Sequence, residues 1–186
     1  MMKKTVRKLN HLMLDLETMG NSSNSAILSI GAVEFDLESG ETGREFYQKV
    51  NLQSCLNAGL VVNGSTIMWW LQQSEAARKE VSKVGDNLYN SLTKLTTFMR
   101  CLELDFQLWG NGARFDIGIL EDAYFACKFE TVPWNFRNER DVRTLVSFAP
   151  EIKENYPFLG KAHTPIDDCK HQIGYCSAIW RKLNNL

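Results

Sequence analysis

The sequence carries almost no net charge and has no long apolar run. It contains 21 lysines and arginines against 22 aspartates and glutamates, for a formal net charge of −1. A protein that holds a long duplex by charge alone is usually basic, so the composition argues against that mode of nucleic-acid binding. No apolar segment approaches the roughly 20 residues of a membrane-spanning helix. The basic residues 1–8 are not followed by the apolar stretch of a secretory signal. We therefore expect neither a signal peptide nor a membrane partner.

Cysteine is present, but without the spacing of a metal site or a disulfide framework. The five cysteines are scattered, with no CxxC pair, at positions 55, 101, 127, 169 and 176. An odd and scattered set predicts reduced thiols. We therefore expect a cytoplasmic protein.

The chain of 186 residues is long enough for one hydrophobic core and short for two, so we expect a single domain over residues 1–186. Apolar runs at 12–16 and 26–35, a polar turn at 36–41 and a third strand candidate at 44–50 predict an antiparallel meander at the start of the chain. This order predicts an α/β layered fold, because helix and strand patterns then alternate. The helices predicted after these strands are 66–73 (capped by Ser65), 75–81 (capped by Ser74), 88–102, 115–127, a helix that begins at the cap Asp141 and ends at 148, and a final helix at 166–183. A strand is predicted at 106–109, a short strand or extended piece at 132–134, and a loop at 151–161.

The pattern Asp-x-Glu occurs twice, in different surroundings. Asp15 and Glu17 end a buried apolar run, and residues i and i+2 of a strand project from the same face. Asp36 and Glu38 lie in the predicted turn before Gly40, which we interpret as a solvated hairpin tip. Two divalent ions that hydrolyse a phosphodiester bond need several carboxylates from different elements. Acids at the end of a core strand are costly unless their charge is compensated, so the first pair is a candidate metal site.

Two further segments are candidates to complete such a site. Asp116 follows the glycine-containing break at 110–112, although an acid in a first helical turn is also favoured by the helix macrodipole. His163 lies on the loop before the last helix, where it is either a solvent-exposed histidine or a group that takes a proton from water at neutral pH. Asp167 and Asp168 both follow in that helix, and spacing alone leaves the choice between them open.

Together these segments resemble the motifs of the DEDDh exonucleases, the DnaQ-like branch of the ribonuclease H-like fold. That family has Asp-x-Glu, a central Asp and His-x4-Asp in this chain order. The matching residues here are Asp15, Glu17, Asp116, His163 and Asp168. The family spacing selects the second of the two adjacent aspartates in the last helix. The resemblance extends over nearly the whole chain, from residue 12 to about residue 180.

A narrower resemblance is found in residues 15–20, 65–70 and 140–144. These segments are similar to the small phage and prophage exonucleases labelled exodeoxyribonuclease VIII-like, and to the mycobacterial 3′–5′ exoribonuclease group. The likeness implies the cytoplasm of a bacterium or of a phage-infected host cell. It leaves DNA and RNA both open as substrates, because both occur among the relatives. Homodimers are frequent there, so a homodimer is a candidate assembly.

The resemblance implies a fold, an activity and a cofactor. The fold is ribonuclease H-like: a mixed sheet whose first three strands are antiparallel, with helices on both faces. The activity is a 3′–5′ exonuclease that hydrolyses DNA or RNA from the 3′ end and releases nucleoside monophosphates. The cofactor is a pair of Mg²⁺ ions, for which Mn²⁺ can substitute. In this scheme Asp15 bridges both ions, Glu17 and Asp168 hold the ion that carries the attacking water, Asp116 supports the other, and His163 is the general base.

Further residues are candidate substrate contacts. Thr18 and Met19 match the family segment that touches the terminal nucleotide, with Met19 either against the base or in the core. Trp69 and Trp70 point about 100° apart on a helix, so either one stacks on a base or both pack inside. Arg114 is a candidate phosphate contact, as are the arginines at 140 and 143.

Two other functions remain as alternatives. The first is a nuclease of the same fold that is specialised for very short oligonucleotides or capped RNA ends, which the near-neutral charge keeps open. The second is a non-catalytic nucleic-acid-binding module. The absence of one of the family's acidic residues would favour the non-catalytic module, but all five family residues are present.

Overall fold

The computed structural model describes residues 9–102, 105–112 and 114–186. Its centre is a sheet of five strands in the spatial order β3-β2-β1-β4-β5. The strands are β1 (His11–Thr18), β2 (Ile27–Phe35), β3 (Thr42–Lys49), β4 (Gln107–Gly110) and β5 (Glu139–Asp141). The helices are α1 (Leu52–Asn57), α2 (Gly64–Gln72), α3 (Glu75–Val81), α4 (Leu88–Arg100), α5 (Asp116–Ala126), α6 (Val142–Val146), α7 (Pro150–Glu154) and α8 (Pro165–Leu183), with a 3-10 turn at Phe136–Asn138. In the described ranges, none of the helices is long and apolar enough to cross a membrane.

The sheet is mixed. β1 pairs antiparallel with β2, and β2 with β3, whereas β4 runs parallel to β1 and β5 parallel to β4. The carboxyl ends of β1, β4 and β5 therefore meet at one edge of the sheet. In open α/β sheets this is the edge where ligands bind.

Successive side chains of β1 point to opposite faces of the sheet, and each face packs in its own apolar layer. Leu12, Leu14 and Leu16 point to the face that α4 and α5 cover, and all three are buried in the larger core cluster. Met13 points to the opposite face, where it packs in the cluster that includes residues of α6 and α8. Burying one such side chain contributes about 1.5–3 kcal/mol. The apolar pattern thus sets which face of β1 carries Asp15 and its neighbours.

Most predicted elements are confirmed, including the three antiparallel opening strands. Ser74 caps α3, since its hydroxyl accepts a hydrogen bond from the Ala77 backbone N–H at 3.2 Å. Asp141 caps α6, since its carboxylate accepts from the Arg143 and Thr144 backbone N–H groups. The mixed sheet with helices on both faces is the fold class that the sequence predicted.

Some boundaries and short elements differ from the prediction. The cap of α2 is Asn63 rather than Ser65, because the Asn63 amide oxygen accepts from the Ser65 backbone N–H at 2.9 Å. Residues 132–134 are irregular, and the fifth strand is β5, which pairs with β4. The predicted loop at 151–161 begins inside α7, and α1 was not predicted. The missed elements have six residues or fewer, too few to show a hydrophobic period.

Candidate active site

The start of α8 lies directly on the sheet, beside the end of β1. The position of β2 opposite Asp15 is Gly31, and a Cβ atom there would lie 2.4 Å from the Cβ of Pro165. Only glycine therefore lets the first turn of α8 approach β2 this closely. This approach brings Asp168, near the start of α8, over the acidic end of β1.

Asp15, Glu17 and Asp168 converge in one cluster. Each offers one carboxylate oxygen, and these oxygens all lie within 4.8 Å of one another. Asp15 Oδ1 accepts a hydrogen bond from Gln172 Nε2 at 2.9 Å, while Asp168 Oδ2 is buried without a hydrogen-bond partner. A buried, unpartnered carboxylate oxygen is costly unless something else compensates it. The cluster therefore has the donor type and the spacing of a site for a hard cation.

The pKa values of all three carboxyl groups in the cluster are raised, so the described chain compensates their charge only in part. Burial raises the pKa of Glu17 to about 8, and the negative charge of Asp168 adds to the effect. Burial also raises the pKa of Asp15 well above its ordinary value, and the charges of Asp116 and Glu17 contribute. The pKa of Asp168 is raised by burial too, while the charge of His163 opposes the shift. A bound cation would favour the ionised form of all these groups.

Asp116 lies beside Asp15 but is held by the backbone. Its Oδ1 accepts from the Leu16 N–H at 3.1 Å and its Oδ2 from the Asn111 N–H at 2.8 Å. These bonds connect the first turn of α5 to β1 and to the end of β4. Burial raises the pKa of Asp116 to about 7, and the two backbone bonds act against it. Asp116 is therefore a structural link at the sheet edge as well as the fourth acid near the cluster.

Asp167 and Asp168 point to different places, which spacing alone did not resolve. Asp167 Oδ2 accepts from the Lys161 backbone N–H at 2.9 Å and so holds the loop before α8. Asp168 contributes to the acidic cluster. On the same loop, His163 is half-buried in the left-handed backbone region, with φ +62°. Its backbone N–H and its charge both act against the upward pKa shift of Asp168, so the histidine lies beside that carboxylate.

The two tryptophans of α2 have different environments. Trp70 is 3 % exposed, and its Nε1 donates to the Thr18 carbonyl at 2.9 Å. Trp69 is 42 % exposed, and its ring centroid lies 5.1 Å from that of His163. Of the two expected arrangements, the one with a single buried ring is observed. Trp69 is the residue that keeps a free face near the cluster.

The other residues that were predicted to contact the substrate differ in their exposure and in the groups that surround them. Thr18 is buried, and its hydroxyl donates to the Gly20 carbonyl at 2.6 Å. Met19 is half-buried against two core clusters and also lines an open apolar groove of about 800 Å³ beside Trp70. Arg114 is exposed. Arg143 lies against Gly112, and its charge lowers the pKa of Asp116.

Two residues near the cluster were missed by sequence reasoning. Gln172 follows Asp168 by one helical turn, so the i, i+4 spacing could have identified it as a neighbour. Lys49 ends β3, and its charge lowers the pKa of Glu17 against the effect of burial. No local signal marks Lys49, because its position depends on the pairing of three strands.

The family of the chain is shown by its sequence. The model of the Rv2179c-like 3′–5′ exoribonuclease domain matches residues 10–180. An exodeoxyribonuclease of Enterobacteria phage T4 is 28 % identical over an alignment of 157 residues, and the match covers 72 % of this chain and 69 % of the phage protein. The match to the family model covers all five residues that carry the motif resemblance.

Solved structures share the fold at low sequence identity. Exonuclease I of E. coli, in complex with a dA16 oligonucleotide, has a TM-score of 0.67 and 14 % identity over 93 % of this chain and 40 % of its own. A 3′-exonuclease that recognises a histone mRNA stem-loop has a TM-score of 0.63 and 14 % identity over 95 % of this chain and 83 % of its own. This chain thus spans less than half of exonuclease I.

These comparisons confirm the expected family, fold class and type of enzyme. The neighbours are exonucleases, and the ribonuclease H-like arrangement of the sheet and helices is shared with them. The family model extends from β1 to α8 and so includes every element that contributes to the acidic cluster. The chain is a member of the Rv2179c-like 3′–5′ exoribonuclease domain family, a group of 3′–5′ exonucleases with the ribonuclease H-like fold.

Proposed function

We propose that this protein removes nucleotides one at a time from the 3′ end of a DNA or RNA strand and releases nucleoside monophosphates. The observation that carries the proposal is the convergence of Asp15, Glu17 and Asp168, with one oxygen of each within 4.8 Å of the others. These residues come from β1 and α8, which are far apart in the sequence. A cluster of ionisable groups with strongly raised pKa values at a sheet edge is typical of a catalytic site.

The proposed cofactor is a pair of divalent cations, Mg²⁺ or, in its place, Mn²⁺. Carboxylate oxygens are the ligands that such cations prefer, and the unpartnered Oδ2 of Asp168 supports the fit. In this proposal Asp15 would be a ligand of both ions, Glu17 and Asp168 would hold the ion of the attacking water, and Asp116 would support the other. The ions would supply activation of that water and stabilisation of the leaving oxygen. Gln172 keeps the Asp15 carboxylate in its orientation through the 2.9 Å hydrogen bond.

His163 is proposed to take the proton of the attacking water. Its loop position is beside the cluster, since its backbone N–H hydrogen-bonds to Asp168. The rings of Trp69 and Trp70 lie beside it, with centroids 5.1 and 5.8 Å away. Trp69 also offers an exposed face to a terminal base, and such stacking contributes roughly 1–3 kcal/mol per base. Thr18, Met19 and Arg114 are the other proposed contacts of the strand end.

Product analysis tests the proposed activity. End-labelled single- and double-stranded DNA and RNA are incubated with Mg²⁺, and mononucleotides are expected to leave from the 3′ end. The phage T4 relative is an exodeoxyribonuclease and the family model describes exoribonucleases, so both substrates are needed. Excess chelator should abolish the reaction, because the bare acidic cluster repels phosphate. Products from the 5′ end, or full activity in chelator, would contradict the proposal. A single domain over residues 1–186, a homodimer and a cytoplasmic location stay predictions.

The metal-free protein should lose stability as the pH rises from about 5 to about 8. Burial raises the pKa of Glu17 to about 8 and that of Asp116 to about 7, so the folded state keeps protons that the unfolded chain has released. Stability from these groups is present below their ordinary pKa range and is lost as the pH rises through the folded values. A tenfold difference in proton affinity between the folded and unfolded states corresponds to about 1.4 kcal/mol, so we expect a loss of a few kcal/mol. Denaturant unfolding in chelator at both ends of this pH range measures it.

Divalent metal is the control for this experiment. Cations bind the ionised carboxylates of the folded state and should restore stability mainly at the higher pH. A pH dependence that is the same with millimolar Mg²⁺ as with chelator would contradict a metal site in the cluster.

A further inference from the structure

Strand β3 ends beside the acidic cluster with a half-buried lysine, Lys49. Glu17 pairs with Ser29 of β2, and Ser29 pairs with Lys49 of β3, so the three residues form one row across the sheet. Directly paired residues point to the same face. Two strand spacings put the Cα atom of Lys49 roughly 10 Å from that of Glu17. Lys49 therefore lies beside the cluster rather than within it.

This row lies beyond the start of α8. The first turn of α8 packs on Gly31, which belongs to the neighbouring row of the sheet, with Asp15 and Tyr47. The row of Ser29 and Lys49 is the next one along this face of the sheet, and it contains Glu17 of the cluster.

The lysine is not paired with the nearby acids. On α3, Glu80 uses Oε1 to accept from the Tyr47 hydroxyl at 2.9 Å and Oε2 to accept from Lys83 at 2.6 Å. Burial lowers the pKa of Lys49, the charges of Glu80 and Glu17 act against this shift, and the charge of Lys83 adds to it. Yet its Nζ atom is buried and has no hydrogen-bond partner in the described part of the chain. A buried ammonium without a partner is costly, and a ligand that brings acceptor oxygens would offset this cost.

We propose that Lys49 binds a phosphate group of the nucleic-acid strand, next to the bond that is cleaved. This inference rests on the proposed function. The lysine ammonium is a compact point charge with three donors and suits a phosphate oxygen. The protein has a net charge of −1, and four acids surround the reaction site, so an approaching strand meets repulsion. A cation beside the cluster offsets that repulsion at the next phosphate.

Binding of a fluorescent oligonucleotide with a 3′-terminal phosphorothioate linkage tests the proposal. Affinity is measured in Mg²⁺ at several salt concentrations, for the wild-type protein, Lys49→Met and Lys49→Arg. We expect Lys49→Met to raise Kd about 10-fold and to lower the salt slope by about 0.7, the value for one phosphate contact on a single strand. Lys49→Arg should keep most of the affinity and most of the salt slope, because arginine keeps the positive charge. The KM for the cleavable strand should rise in parallel, while kcat changes less.

Lys94→Met is the matched control. Lys94 is exposed and bonded to Asp86 at 2.8 Å, and it also contacts Gln48, which neighbours Lys49 but points to the other face of β3. The Lys94→Met protein should bind the oligonucleotide with the Kd and salt slope of the wild type. An unchanged Kd and salt slope in Lys49→Met would overturn the inference. A loss of kcat alone would overturn it too, because it would show that the lysine acts on Glu17 and not on the bound strand. If Lys49→Met does not fold, the Lys49→Arg protein decides. A wild-type kcat together with loss of the salt dependence contributed by one phosphate contact would overturn the inference. If the wild type releases no nucleotides from either DNA or RNA, the proposed function itself fails.

Discussion

Asp15→Asn and Glu17→Gln are each expected to lower turnover on a 3′-end-labelled strand by at least about 100-fold, the scale on which the loss of one electrostatic stabiliser acts. Each change removes a charge from the cluster in which three carboxylate oxygens lie within 4.8 Å. The variants should nevertheless fold. Asparagine still offers an oxygen to Gln172, and removing one of several repelling charges should stabilise the metal-free protein. Initial rates and thermal unfolding in chelator measure the two effects.

The second Asp-x-Glu copy is the matched control for these variants. Asp36 accepts from the Ser39 N–H and hydroxyl at the β2–β3 turn, and Glu38 is exposed. Asp36→Asn keeps the acceptor oxygen, and Glu38→Gln changes an exposed group, so both should leave turnover nearly unchanged. Equal losses from the two pairs would show that the strand-end pair has no special role.

Replacing His163 is expected to lower turnover by roughly 10²–10⁴-fold, the usual contribution of a general base. His163→Ala is the simplest change, and His163→Asn is the better one for the backbone, because asparagine tolerates the left-handed φ of +62° found here. Metal binding should change little, since the histidine is proposed to act on water. The acid limb of the pH–rate profile should be lost in the variants, although metal-bound water can add a titration of its own. Single-turnover rates across pH measure this effect.

The adjacent aspartates provide the control in the same segment. Asp167→Asn keeps an oxygen for the Lys161 N–H and should be mild. Asp168→Asn removes a charge from the cluster and should be severe, with weaker metal binding. A fully active His163→Ala protein would contradict the assigned base. An inactive Asp167→Asn protein beside an active Asp168→Asn protein would show that the wrong aspartate has been assigned to the cluster.

The prediction of the fold succeeded where local chemistry is strong. The alternation Leu12, Leu14 and Leu16 against Asp15 and Glu17 predicts a strand with an acidic end on one face, and β1 has that form. Ser74 and Asp141 were correctly predicted as caps, because a side-chain oxygen before a helix satisfies free N–H groups whatever surrounds it. Residues 132–134, predicted as a short strand or an extended piece, do not form a strand. The fifth strand is β5, which was missed because its three residues show no period and are paired with β4.

The sequence by itself thus determined the ordered motif, the elements that carry it and the family to which the chain belongs. Only the tertiary structure decided which side chains meet. It turned Asp167 to the loop and Asp168 to the cluster, buried Trp70 and left Trp69 exposed, and brought Lys49 beside Glu17 across two strand pairings. The physical reason is that hydrophobic period and capping act over a few residues. Contacts between distant residues follow from strand register and from close packing such as that of α8 on Gly31.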